Sequence, residues 1–445
     1  DMERYDMSQI IQSSHWSPLT PAQLDFWEEF TFHPHQPVST VAHCITLRGA
    51  INERALLAAL QQVIKETEVF SVRFRLVGED AMPVQYCDPH QCPDVRIIDL
   101  QQRRSAQTVA QAMMQGDIDG QLNLLRQPLA AVWLIRFSPE HYMVYIRAHH
   151  IIVDGFGMAL IEHRCAELYQ AYCETTLTGV PLSPFADFLA EEQHYARSKK
   201  CQADRAYWHR LLEQAPPLKV LQKGGEDYAT ESLHSDTWLP ASFTKHILAL
   251  AELCRIGWPD VLLVLSAAWM AKQIPDVQHN GVLPVWVPVM NRRGHAAANT
   301  PSLAVNILPV FITFDPLESL VDFLKRTAIA LHDMRAHSRY RIETLAADQG
   351  IGKGMRYFFS PLINVLPFDP PVFAGCETAR QVMASGPGDG FNITWRGRTD
   401  CSELHVDIDV EAGMFPGLDP QAMLTSLTDW LSHAFASQYE PQPLL

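Results

Sequence analysis

The sequence of 445 residues lacks the features of several large protein classes. It has no apolar run long enough to cross a bilayer, and its start, DMERYDMSQ, has neither the basic nor the apolar region of a signal peptide. It contains no GxxxxGK[ST], GxGxxG or GxSxG pattern, which argues against the commonest nucleotide-dependent enzymes and serine hydrolases. We therefore expect a cytoplasmic protein that uses neither a membrane nor a tightly bound nucleotide.

Positive charge is also scarce. Only 35 Lys and Arg residues stand against 50 Asp and Glu residues, so the formal net charge is −15. This balance argues against nucleic acid and anionic membranes as partners. The nine cysteines are odd in number and without CxxC spacing, which argues against a disulfide framework or a zinc site. We expect no cofactor and no metal to be bound by the chain itself.

The pattern of strands and helices predicts an α/β protein built in two rounds. The chain is 47% hydrophobic, which is typical of a folded protein, and it has more residues than a single hydrophobic core usually organises. The best linker, LTGVPLSP, starts at Leu177 and predicts two lobes, residues 1–178 and 179–445, with a cleft between them. The predicted elements include a strand over 69–74 and one long polar helix over 185–214.

The most informative stretch is AHHIIVDG, residues 148–155, where a predicted strand ends and a predicted helix begins. Successive strand side chains point to opposite faces, so only one of His149 and His150 can face a cleft. Asp154 lies in the connecting loop, and if it is buried it needs a cation. The guanidinium of Arg292, at the end of another predicted strand, suits that need. Together these residues predict an active-site elbow.

Structural alternatives exist for each of these residues. Two buried histidines can be hydrogen-bonded core residues, and Asp-Gly can be a simple turn. A HisxxxAsp pair supplies only two metal ligands, and no third ligand lies at a supporting spacing. Asn364, inside an apolar strand, is either a structural amide or a cleft residue. Arg293 follows a predicted strand, and the sequence pattern alone indicates a solvent-exposed residue at the end of that strand.

Several motifs, in the same order along the chain, resemble those of the condensation domains of nonribosomal peptide synthesis. HHIIVDG matches their HHxxxDG signature, and three further segments resemble other motifs of the family: LTPAQLDFW (19–27), FSVRF (70–74) and VNILP (305–309). The resemblance implies two chloramphenicol-acetyltransferase-like lobes in a V-shaped pseudo-dimer, with HHxxxDG in a tunnel between them. It also implies a floor loop over about 288–306 and a latch over about 384–397, both in the second lobe.

Within that family the chain is similar to the freestanding amide synthases of vibriobactin-type catechol-siderophore assembly. The similar segments include IGWPD (256–260), PVMNRRG (288–294) and ASGPGDGFNITWRG (384–397). Gly157 follows the siderophore-type DGxG pattern, where typical elongation domains have DGxS, whereas Arg293 replaces a tryptophan of these amide synthases. The similarity implies transfer of an aryl group, 2,3-dihydroxybenzoyl, from the phosphopantetheine arm of an aryl carrier protein to a free di- or polyamine.

The resemblance implies catalytic roles for three residues. His150 is expected to accept the amine proton, or to hydrogen-bond the nucleophile and stabilise the tetrahedral intermediate. The backbone N–H of Gly155 is expected to donate to the substrate, and the missing side chain to let the carrier arm approach. Asn364 is expected to orient the acceptor or a water molecule.

Neighbouring residues are expected to be structural at the active site (Asp154, Arg292 and His149) or to contact substrate (Arg293 and Gly157). Three alternatives stay open. The first is a condensation domain of a modular synthetase, whose acceptor is an aminoacyl carrier protein. The second is a coenzyme-A-dependent acyltransferase of the same fold, and the third is a docking module without activity. The sequence contains no adenylation or carrier segment, so whether the chain is freestanding or part of a synthetase is open as well.

Overall fold

A computed structural model describes most of the chain: residues 16–32, 39–126, 128–223, 232–273, 281–386, 388–437 and 439. Pro387, in the predicted latch, lies outside these residues. Within the described ranges, every helix is too short or too polar to span a bilayer.

The α-helices follow the amphipathic stretches of the sequence. Their bounds are α1 Pro21–Phe32, α2 Glu53–Glu66, α3 Ala106–Ile118, α4 Gly155–Glu174, α5 Phe185–Ala196, α6 Lys199–Gln214, α7 Ser242–Cys254, α8 Trp258–Gln273, α9 Leu320–Ala336, α10 Ile342–Asp348 and α11 Pro420–Ala436.

The strands lie between groups of these helices, singly or in runs of up to five. Their bounds are β1 Ser17–Pro18, β2 Thr40–Gly49, β3 Val72–Val77, β4 Met82–Cys87, β5 Val95–Asp99, β6 Ala130–Ser138, β7 His141–His149, β8 Val220–Gln222, β9 Ser232–Trp238, β10 Val282–Val289, β11 Asn306–Thr313, β12 Met355–Tyr357, β13 Leu362–Pro367, β14 Cys376–Ser385, β15 Phe391–Gly397 and β16 His405–Glu411.

The chain divides into two compact units, of which the first comprises residues 1–198, 290–304 and 370–387. Its five-stranded sheet has the order β14-β2-β7-β6-β5. Helices α2 and α4 cover one face of this sheet and α3 covers the other. Both faces of β7 are therefore buried, which explains why all nine residues of that strand are buried.

The second unit comprises residues 199–289, 305–369 and 388–445. Its six-stranded sheet has the order β11-β10-β13-β15-β16-β9. Helices α7, α8, α9 and α11 share one apolar core with this sheet. Side chains of β15 and β16 alternate between that core and the opposite face, so the opposite face carries the polar residues of both strands.

The predicted lobe boundary differs from this division. We expected one change of lobe between residues 178 and 179, but the first unit continues to Ser198 because α5 belongs to it. Residues 290–304, expected in the second lobe as part of the floor loop, also belong to the first unit. So do residues 384–386 of the expected latch, since β14 pairs with β2.

Two element predictions are wrong. The predicted helix over 185–214 is two helices, because the N–H groups of Arg197 and Ser198 bond three residues back and end α5. The predicted strand over 69–74 begins only at Val72, and a 3₁₀ turn, Glu68–Ser71, precedes it.

A buried charge cluster joins α4 to two strands of the first unit. Glu162, on α4, is fully buried. One carboxylate oxygen contacts Nδ1 of His43 on β2, and the other accepts from Nη1 of Arg380 on β14 at 3.1 Å. Burial alone raises the pKa of Glu162, but His43 and Arg380 outweigh it and hold the pKa below its ordinary value. This carboxylate is therefore charged in the folded protein and links the sheet to α4.

Replacing Glu162 should test this linkage. We expect Glu162→Gln to lower the free energy of unfolding by about 3 kcal/mol at pH 7, because it breaks a buried charge pair. Since the folded pKa of Glu162 is depressed, its contribution is present above the ordinary carboxyl pKa and is lost as pH falls. The difference between wild type and variant, measured by urea unfolding, should therefore shrink towards pH 4.

Glu167→Gln provides the matched control, since Glu167 lies on the same helix and is 54% exposed. It should change stability by less than about 1 kcal/mol at either pH. Equal effects of the two variants would show that the buried cluster contributes no special stability.

Candidate active site

The predicted elbow lies between the end of β7 and the first turn of α4, in the first unit. Its backbone is fixed by hydrogen bonds to three other segments. The N–H groups of His149, His150 and Asp154 donate to the carbonyls of Leu129, Ser39 and Ser302, at 2.8, 2.7 and 3.1 Å respectively. The elbow is thus a turn whose backbone is held by hydrogen bonds, so the points from which its side chains project are fixed.

Asp154 connects the elbow with the segment over 290–304. It caps α4, because its Oδ1 accepts from the N–H of Gly157 at 2.8 Å. The same oxygen accepts from Nη2 of Arg292 at 2.6 Å, and Oδ2 accepts from the N–H of Ala304 at 2.9 Å. The expected ion pair with Arg292 is therefore present, and both of its side chains are at most 5% exposed.

The guanidinium of Arg292 organises its own segment as well. Its carbon lies 5.0 Å from the centre of the Phe156 ring. Its two terminal nitrogens also donate within the segment, to the carbonyls of Ala297, Thr300 and Ser302 and to the hydroxyl of Ser302, at 2.7 to 3.1 Å. One planar cation thus closes the loop on itself and binds it to the elbow.

This arrangement does not fit a metal site at HisxxxAsp. Both carboxylate oxygens of Asp154 already accept from N–H groups, and the Arg292 cation lies against one of them. A divalent ion at this carboxylate would have to displace these donors and approach a buried positive charge.

His149 is turned into the protein. Its side chain is 7% exposed, and its Nδ1 accepts from the N–H of Ile151 at 3.0 Å. Burial, with smaller effects of His150 and Arg147, lowers the pKa of His149 to about 3. His149 is therefore neutral and hydrogen-bonded within the elbow, and its structural role stays a prediction.

His150 differs from its neighbour because it is only partly buried. Its ring stacks on Phe26, with ring centres 4.8 Å apart and planes inclined by 19°. Among the described residues, none other than His150 itself supplies a hydrogen-bond partner for its buried Nδ1, so Nε2 is the nitrogen left to reach a ligand. Burial lowers the pKa of His150, opposed by its own carbonyl and by Asp154. The site thus offers a neutral imidazole that can accept a proton.

The two glycines of the elbow have different surroundings. A Cβ at Gly155 would meet nothing within 4 Å, and its N–H belongs to the first helical turn, whose N–H groups the helix itself leaves unpaired. At Gly157, a Cβ would lie 2.5 Å from Cγ2 of Val153 and 3.1 Å from the backbone nitrogen of Ser302. Packing therefore favours glycine at position 157, and the substrate contact predicted there stays a prediction.

The remaining predicted residues are placed as follows. Arg293 is exposed, next to Arg292 in the first unit. Asn364 lies on β13 of the second unit and is partly buried. Its side-chain amide makes no hydrogen bond with any residue of the described ranges, and its role stays a prediction.

Sequence reasoning missed a polar contact to the elbow. Gln23, on α1, is almost fully buried and donates to the carbonyl of Ile151 at 3.3 Å. It also exchanges hydrogen bonds of 2.8 and 2.7 Å with Gln85 on β4. A glutamine inside the largely apolar segment LTPAQLDFW was the available signal, because a buried amide must find partners.

Comparison with known proteins decides the family. The profile of the Condensation domain family matches residues 13–369. The chain belongs to the condensation domain family. It is similar to the crystal structure of VibH, an NRPS (nonribosomal peptide synthetase) condensation enzyme, with a TM-score of 0.87 and 30% identity over 96% of this chain and 100% of that one. The first condensation domain of the calcium-dependent antibiotic synthetase, in complex with a substrate analogue, follows with a TM-score of 0.80 and 26% identity, covering 97% of this chain and 98% of that one.

Curated relatives are longer proteins. The dimodular nonribosomal peptide synthase of Bacillus subtilis is 28% identical over 90% of this chain, which spans 17% of that protein. Enterobactin synthase component F of Escherichia coli K12 is 28% identical over 88% of the chain, which spans 30% of it. This condensation domain therefore has the two-lobe, chloramphenicol-acetyltransferase-like α/β fold of its family and is an amide-forming acyltransferase.

The two elbow glycines of this condensation domain allow a matched test. Gly157→Ala should lower the free energy of unfolding by about 1–3 kcal/mol, because its Cβ overlaps Cγ2 of Val153 and lies in tight contact with the 302 backbone. Gly155→Ala should leave stability unchanged or slightly raised, since its Cβ is in open space and alanine favours a helix. Urea unfolding of both variants measures the difference, and equal stability losses would contradict the packing argument.

Proposed function

We propose that this condensation domain transfers an aryl group, 2,3-dihydroxybenzoyl, from the thioester of an aryl carrier protein to a free di- or polyamine in siderophore biosynthesis. The observation that carries the proposal is the similarity to VibH, which covers all of that chain and nearly all of this one. The similarity of the segments at 288–294 and 384–397 to catechol-siderophore amide synthases supports the aryl donor. The net charge of −15 favours a cationic acceptor, though only weakly.

In the proposed reaction the neutral amine attacks the thioester carbonyl. A C–N bond forms, and the carbonyl oxygen becomes an oxyanion; then the C–S bond breaks and the carrier thiol leaves. Nε2 of His150 accepts a hydrogen bond or a proton from the amine and returns the proton to the departing sulfur. The Gly155 N–H donates to the substrate, and Asn364 orients the acceptor. Because a thioester is already activated, no covalent acyl-enzyme is needed.

The remaining predicted residues support this chemistry without touching the reacting atoms. Asp154 and Arg292 hold the elbow and the proposed floor loop together, and His149 completes the elbow. Arg293 is proposed to lie on the acceptor side, where its charge selects a shorter or less charged amine. The phosphopantetheine arm belongs to the carrier protein, so the chain itself supplies only side chains and backbone groups.

A second candidate function is a modular condensation step with an aminoacyl carrier protein as the acceptor. It is favoured by the curated relatives, since the chain spans 17–30% of the lengths of the synthetases cited above. Both functions use the same fold and a donor held on a carrier protein as a thioester, so the acceptor alone distinguishes the two functions.

Intact-mass analysis of a loaded carrier tests the proposal. We expect a 2,3-dihydroxybenzoyl carrier protein to lose its aryl group only when both the enzyme and a di- or triamine are present, with the amide appearing in equal amount. Transfer only to an aminoacyl carrier would support the modular alternative. Transfer from aryl-coenzyme A alone, at the same rate, would contradict the need for a carrier.

The two histidines provide the matched control in the same assay. His150→Ala should lower the rate by about 10²–10⁴-fold, and His149→Ala by much less. The ring of His150 is neutral throughout the neutral range because its pKa lies below the ordinary value. The rate should therefore rise between pH 7 and 9 as the amine loses its proton, and a fall over that range would contradict this assignment.

A further inference from the structure

Helix α1 is held directly against the loop that follows His150. The buried amide of Gln23 bonds the carbonyl of Ile151 at 3.3 Å and pairs with the amide of Gln85. Both glutamines are at most 2% exposed. Such a pair of buried, mutually bonded amides fixes the rotation of α1 relative to the elbow, because turning the helix would leave polar groups unpaired.

Phe26 follows Gln23 by three residues and therefore lies on the same side of α1. Its ring covers one face of the His150 imidazole, with centres 4.8 Å apart and planes nearly parallel, at 19°. The same ring meets His149 edge-on, with centres 6.5 Å apart and an angle of 83°. Phe26 thus contacts both histidines but stacks only on His150.

Gly386 limits the space beside the His150 imidazole on another side of the ring. Its φ is +87°, and a Cβ there would lie 2.7 Å from Cδ2 of His150 but 3.5 Å from Nε2 and 3.8 Å from Cγ. These distances place the glycine at the Cδ2 edge of the ring and not over its face. The residue before it, Ser385, is the last of β14, which pairs with β2. The sheet of the first unit therefore carries this backbone contact.

No carboxylate within the described ranges orients the imidazole from behind, and the hydrogen bond that bears on its pKa comes from the carbonyl of His150 itself. A histidine that handles protons is often held by a carboxylate on its second nitrogen, but no other residue in the described part of the chain binds Nδ1 of His150. The nearby carboxylate of Asp154 is occupied by Gly157, Arg292 and Ala304. Apart from its own carbonyl, the orientation of the His150 ring therefore depends on packing against its neighbours.

We propose that Phe26 is a positioning residue for amide formation. Its ring, held in place through Gln23, fixes the plane of the His150 imidazole, and the Gly386 backbone stops rotation at the Cδ2 edge. Together they aim Nε2 at the attacking amine. This inference rests on the proposed role of His150 in catalysis.

Phe26→Leu, Phe26→Tyr and Phe32→Leu test the proposal. Leucine keeps apolar volume but removes the stacked ring, tyrosine restores the ring, and Phe32 lies on the same helix but is 46% exposed. We expect Phe26→Leu to lower kcat by about 10–100-fold with KM for the amine unchanged, because loss of orientation costs rate and not binding. Phe26→Tyr and Phe32→Leu should keep near wild-type kcat.

Nuclear magnetic resonance of histidine-labelled protein gives a readout that is independent of turnover. The ring protons of His150, identified by their loss in His150→Ala, should be shifted upfield by the stacked Phe26 ring in wild type and in Phe32→Leu. In Phe26→Leu they should move downfield. Wild-type His150 signals without the upfield shift would overturn the stacking itself.

The kinetic outcomes separate this inference from the proposed function. If His150→Ala abolishes amide formation and Phe26→Leu has wild-type kcat, the positioning role is wrong and the function stands. A rise in KM at unchanged kcat would also contradict the positioning role, because it assigns Phe26 to binding. If His150→Ala keeps full activity, the proposed role of His150 fails and the positioning role of Phe26 fails with it, whereas the proposed function fails only if the wild-type enzyme transfers no aryl group to an amine.

Discussion

The elbow of the candidate active site depends on one buried carboxylate. Asp154 caps α4, pairs with Arg292 and accepts from the N–H of Ala304, all with a side chain that is 2% exposed. A carboxylate in such a place is stable only while its donors remain, because an unpaired buried charge costs several kcal/mol. Asp154 therefore joins two segments that are far apart in sequence, and the geometry of each constrains the other.

Two further features depend on this connection between the elbow and residues 290–304. A Cβ at position 157 would lie 2.5 Å from Cγ2 of Val153 and 3.1 Å from the backbone nitrogen of residue 302, so the packing there favours glycine. Since the oxygens of Asp154 are occupied, the carboxylate does not orient His150, whose ring is held by its own carbonyl and by packing against Phe26 and Gly386. In the proposed reaction, Asp154 would act through the shape of the elbow and His150 through its free Nε2. This division matches the neutral state that burial gives to His150.

Sequence reasoning could predict the Asp154–Arg292 pair because a buried acid in a loop requires a cation, and a strand ending in arginine offers one. It could not predict Arg380 as a partner of Glu162, because β14 alternates between exposed and half-buried residues and shows no apolar period. The packing role of Gly157 could not be predicted from the sequence either, since it depends on the backbone of Ser302, which only folding brings close. The family motifs were recognisable, but the buried contacts that give Gln23 and Phe26 their positions are visible only in three dimensions.

A double-mutant cycle on Asp154 and Arg292 tests the central claim most directly. Urea unfolding would compare Asp154→Ala, Arg292→Met and the double variant with wild type, and Arg293→Ala would serve as the exposed neighbouring control. The structure predicts that each single change costs about 3–5 kcal/mol and that the double change costs much less than their sum, a coupling of about 2 kcal/mol or more. Additive losses for Asp154 and Arg292, as for Asp154 and Arg293, would contradict the account.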